Sequence, residues 1–138
     1  MTNDSRKMSG FILLSVPSII YGGYFLLSVL SGEQEQLQLT DFQKAMFKAG
    51  HAHAGVLVIL SLVAQIFADY AALSKSWLWI TRVLFPISAI VISFGFFAAA
   101  IGSNITHPTN LIAVLYFGIS LLVAALVILG IGLIRNKK

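Results

Sequence analysis

Four long apolar runs, at about 10–30, 45–68, 78–101 and 111–134, constrain this chain more than any other feature. A helix rises about 1.5 Å per residue, so about 20 residues cross a hydrocarbon core about 30 Å thick. Inside a bilayer no water bonds the backbone, so a spanning segment must satisfy its own amides and carbonyls as a helix. The runs occupy nearly all of the 138 residues and leave no stretch for a separate soluble domain. The expected architecture is a single-domain, all-α integral membrane protein: an up-down four-helix bundle.

Composition decides how the charge is to be read. Only 10% of residues are charged against 58% hydrophobic, and the mean hydropathy is +0.91, so the isoelectric point of 9.6 is a signal of membrane topology. The expected partner is a lipid bilayer, and no nucleic acid. Arg6 and Lys7 precede the first run, Lys75 and Arg82 flank the start of the third, and Arg135, Lys137 and Lys138 close the chain. The first connection is mixed, with Glu33, Glu35 and Asp41 against Lys44, and the third has no formal charge. The positive-inside rule then puts both termini in the cytoplasm and connections one and three outside. The first run is too long for a signal-peptide core and is expected to be retained. The absence of cysteine excludes disulfides, thiolate metal sites and thiol chemistry.

Local signals refine the spans. Met1 to Ser9 reads as a short polar tail. Pro17, Gly22 and Gly23 in span one suggest a kink or a close helix contact. Tyr21, Tyr24 and Ser28 form a loosely polar side suited to hydrogen bonding between helices. Thr40 followed by Gln43 has the form of a capping box, which starts helix two near Asp41. Trp77 and Trp79 suit an interfacial belt, and Asn110 suits the cap of the fourth helix.

The stretch Lys48 to Gly55, KAGHAHAG, places two histidines inside a spanning run. Ionisable groups there are expensive and usually face the bundle interior, a wet cavity or a bound ion. At about 100° per residue His51 and His53 point in nearly opposite directions, so one regular helix does not chelate an ion with both. His51 aligns with Gly55, Val58, Leu62, Gln65 and Asp69, a polar stripe. His53 aligns with Met46, Ala49, Val56, Leu60, Ala64 and Phe67, an apolar side. With His107 in the third connection, all three histidines of the chain fall at the outer end.

Two ligation schemes follow. In one, His51 and His107, joined by a carboxylate of the first connection or by water, hold zinc, copper or iron. In the other, His51 or His53 pairs with His107, or with a histidine of a second protomer, to ligate a haem laid against the bundle. The alternative is that the histidines are packing groups bonded to neighbouring helices. A proton relay is less suited, because no line of carboxylates crosses the membrane.

Asp69 and Arg82 end span two and begin span three across a short connection, so they are expected to form a structural ion pair, with Gln65 one turn away in support. Arg82 as a ligand for a lipid headgroup or quinone oxygen is the functional alternative. No nucleophile elbow, phosphate loop or zinc-protease motif occurs, so any catalysis would need a cofactor.

The segment Ala49 to Leu62, AGHAHAGVLVILSL, resembles a group of small bacterial four-helix inner-membrane proteins; the resemblance implies that setting and no activity. The HxH on a membrane helix is also similar to histidine-bearing helices of haem-copper oxidase relatives, which are far larger and draw further ligands from other spans. Three readings result. The first is a membrane protein binding a metal ion or haem for redox, sensing or cofactor handling. The second is an accessory or assembly subunit of a larger membrane complex. The third is a small transporter or channel formed by a homo-oligomer.

Overall fold

The computed structural model describes residues 1–34 and 37–135; Glu35 and the Lys137–Lys138 end of the basic tail lie outside the described residues. Among the described residues there are four helices: α1 (Asn3–Leu30), α2 (Asp41–Ala68), α3 (Lys75–Ala99) and α4 (Ile112–Ile134). All four are long and apolar enough to cross a membrane.

Capping explains two of the helix starts. Thr40 and Gln43 exchange both bonds of a capping box: the Gln43 amide donates to Thr40 Oγ1 at 3.2 Å, and the Thr40 amide donates to Gln43 Oε1 at 3.1 Å. The amino end differs from a polar tail. Thr2 caps α1 by accepting from the Ser5 amide at 3.2 Å, and Asp4 in the first turn faces the positive end of the helix dipole. The polar residues Asn3 to Ser9 are therefore helical. Asn110 does not cap α4, which begins after Leu111 with no side-chain cap.

The helices stand in a row more than in a closed square. α3 packs closely on both α2 and α4, α1 packs on α2 and only touches α3, and α1 does not meet α4 among the described residues. The tightest crossing is between α3 and α4, where small residues let the backbones approach. A Cβ on Gly95 would stand 2.6 Å from the backbone nitrogen of Leu115, and one on Gly118 would stand 2.8 Å from the backbone nitrogen of Ile92. The apolar core is centred on Phe85, which is packed among Ala64, Ala68, Ala71, Ala125 and Leu129 from the neighbouring elements.

Both ends of the row are tied by polar contacts. At the end carrying the termini, the amide of Ala72 donates to the carbonyl of Gly132 at 2.7 Å. At the opposite end, Gln43 Nε2 donates to the carbonyls of Ala100 and Gly102 at 2.9 and 2.8 Å, and Thr40 Oγ1 donates to that of Ile105. The two residues that cap α2 thus also hold the connection that carries His107.

Candidate functional site

The histidines stand in three different environments. The His51 ring is half-buried between α1 and α2, seated on Gly23: a Cβ there would lie 2.8 Å from both Cε1 and Nε2 of the imidazole. Any larger residue at position 23 would compete with the ring for that space.

His53 is exposed on the helix surface, and its ring lies over Phe96 with centroids 4.7 Å apart and planes inclined at 33°. Its Nδ1 is 2.8 Å from the carbonyl oxygen of Ala49, one turn back. A carbonyl only accepts, so Nδ1 carries the proton and the neutral ring is left with its lone pair on Nε2. This is the orientation in which a metal-ligating histidine is usually held by a backbone carbonyl behind it.

His107 is exposed in the connection between α3 and α4, with Nδ1 3.4 Å from Thr106 Oγ1. Among the described residues, no three histidine and acidic side chains come together in a group that could hold a metal ion. Tyr21 and Tyr24 do not join the histidines. They are 70% and 68% exposed, because α1 turns a different face, with Ile12, Ser28 and Val29, toward the protein. Ser28 is buried and donates to the carbonyl of Phe25 at 2.8 Å.

The most elaborate polar arrangement lies at the other end. Arg82 is buried and directs Nη2 at Asp69 Oδ1, 2.7 Å away. Its Nη1 donates to Ser5 Oγ and lies 3.2 and 3.3 Å from the backbone and side-chain oxygens of Gln65. Gln65 is fully buried, and its Nε2 donates to the carbonyl of Arg82 at 3.0 Å.

The amino end of α1 completes the cluster. Ser5 Oγ lies 2.6 Å from Asp69 Oδ1 and 2.8 Å from the Gln65 carbonyl, so its one hydroxyl proton serves both. Thr2 donates its amide to Asp69 Oδ2 at 2.8 Å and its hydroxyl to Oδ1 at 2.7 Å. Burial alone would push the Asp69 carboxyl up, but hydrogen bonds from Ser5, then Thr2, then the Arg82 guanidinium outweigh it and hold the group well below the usual carboxylate range. Charge is balanced between Asp69 and Arg82, and both terminal nitrogens of the Arg82 guanidinium bond to protein oxygens. These features fit a clamp joining α1, α2 and α3.

Thr2 and Ser5 are the members that sequence reasoning missed. The available signal was a threonine, an aspartate and a serine ahead of an apolar run, which is a helix-start pattern. Comparison of the chain with known protein families, with curated proteins and with solved structures finds no match.

Proposed function

We propose that this chain is an integral membrane haem-binding protein in which His53 would ligate the haem iron. The observation that carries the reading is the His53 ring: Nδ1 is engaged by the Ala49 carbonyl, the flat face rests on Phe96, and Nε2 is left as an acceptor at the surface of α2. A haem brings its own ring of nitrogen donors and takes only axial ligands from protein, whereas a structural or catalytic zinc draws three or four. The donor set around His53 suits the first demand. A histidine of a second copy would supply the other protein ligand, and a bound haem would supply one-electron chemistry.

The distribution of Arg6, Lys7, Lys75 and Arg135 at one end supports a bilayer orientation with both termini cytoplasmic and His53 toward the outer face. A bacterial inner membrane is the setting that goes with this reading.

The test is an optical spectrum of the detergent-purified protein beside His53→Ala and His51→Ala variants. A Soret band lost in His53→Ala and kept in His51→Ala is the expected result. A spectrum without a Soret band overturns the haem reading and moves the chain toward the accessory-subunit reading; a Soret band that survives His53→Ala overturns the assignment of His53 as the ligand.

A further inference from the structure

The His53 site is one-sided. Its ring stands on an exposed face of α2, with Nδ1 engaged by the Ala49 carbonyl and Nε2 left as an acceptor. The side chains beside it on the exposed side are small: Ala45 and Ala52 are exposed and Ala49 is half-buried, and the larger Ile59, Val63 and Phe67 follow only on later turns. One chain therefore offers an iron a single nitrogen and covers one side of the group that carries it.

Neither of the other histidines is placed to complete the site. His51 is turned about 200° around α2 from His53, at about 100° per residue, and its ring is seated on Gly23 of α1. His107 belongs to the connection whose base Gln43 holds through the carbonyls of Ala100 and Gly102. At about 1.5 Å per residue, His53 lies about 15 Å along α2 from Gln43. Symmetry supplies what the single chain lacks. Two copies that cross a bilayer in the same sense are related by a two-fold axis along the membrane normal, and that operation keeps every residue at its own depth. It sets His53 of one copy level with His53 of the other, both on an exposed face. His51 stays against α1 in each copy, and His107 stands at a different depth.

Resting on the haem reading of His53, we infer that one haem is shared by two copies of this chain, held by His53 of each, so that haem drives dimerisation. A ligand that binds the dimer and not the single chain favours the dimer by mass action. The alanines at 45, 49 and 52 let the second copy come close to the shared group, as small residues do between membrane helices. A haem held by one chain alone would leave the mass of the protein unchanged.

The experiment titrates ferric haem into the full chain in dodecylmaltoside, reading the optical spectrum together with the protein mass from light scattering corrected for detergent. Saturation at about one haem per two chains is expected, with the low-spin spectrum of two histidine ligands and a mass that rises from one chain to two. His53 is exposed, so His53→Ala should keep the parental helicity and melting while losing both the Soret band and the rise in mass. His51→Ala and His107→Ala should keep the half-equivalent end point. A Soret band that saturates at about one haem per chain with no change in mass overturns the sharing and leaves the haem reading standing. A half-equivalent end point that is lost in a folded His51→Ala or His107→Ala protein does the same. No Soret band at any haem concentration overturns the haem reading itself, and the sharing with it.

Discussion

Gln65 Nε2 donates to the carbonyl oxygen of Arg82 at 3.0 Å, and that carbonyl is the one that Pro86, four residues on, leaves without its helical donor. A proline inside a long apolar helix is tolerated when a neighbouring group re-satisfies the freed acceptor, and here the group comes from α2. Gln65→Leu should therefore destabilise the protein by about 1–3 kcal/mol, the cost of a buried acceptor left unbonded. Adding Pro86→Ala restores a backbone donor and should recover part of the loss. Denaturation of the single and double variants in detergent, followed by circular dichroism, checks both.

The ion pair beside it gives a second expectation. Removing one member of a buried pair strands the other, so Asp69→Ala or Arg82→Ala should each cost about 3–5 kcal/mol. The double variant should cost less than their sum, since residues in one network are not additive. A thermodynamic cycle over the four proteins measures the coupling.

The same carboxylate sets a pH dependence. Its folded-state pKa is depressed below the ordinary unfolded value of about 3.9, so its contribution is fully present above that value. Stability should be lost as pH falls below about 4 toward the folded value. Melting temperatures recorded from pH 7 to pH 3 should show the fall in the parent and a shallower one in Asp69→Asn.

The glycines divide sharply by neighbour. Gly95→Ala would drive a methyl onto the Leu115 backbone, which has no rotamer by which to yield, and should cost about 1–3 kcal/mol. Gly22→Ala meets nothing within 4 Å and should stay within about 0.5 kcal/mol of the parent. Gly23→Ala meets only the imidazole of His51, a side chain able to swing away. Its expected signature is faster modification of His51 by diethylpyrocarbonate at little change in melting temperature.

How far these contacts were legible in the chain depends on their range. The four spans and the capping box at Thr40 and Gln43 are local patterns, and local patterns survive reading from sequence. The pairing of Asp69 with Arg82 is legible because a short connection brings their helix ends together. Ser5 joins them from a residue more than sixty positions away, and nothing local indicates that register. The same reason hides the seat of His51 on Gly23. Polarity alone points Tyr21 and Tyr24 toward a neighbouring helix, whereas α1 buries only a narrow stripe and the tyrosines lie off it. The ligand role of the histidines lies a step further on, since it depends on a group that the chain itself does not encode.

The row arrangement has a mechanical consequence for α1. Its hydrogen bonds to α2 and α3 are carried by Thr2 and Ser5 at one end, and toward the other end Gly23 receives the ring of His51. The helix is thus a strap fastened near both ends across α2. The length between the fastenings contains Pro17 and forms one wall of a cavity of about 530 Å³ between α1 and α3, floored by Ala54 and Val58 of α2. Bowing of that length would change the aperture between α1 and α3 while both fastenings held, so the width of that cavity is set by the curvature of α1 and not by the contacts at its ends.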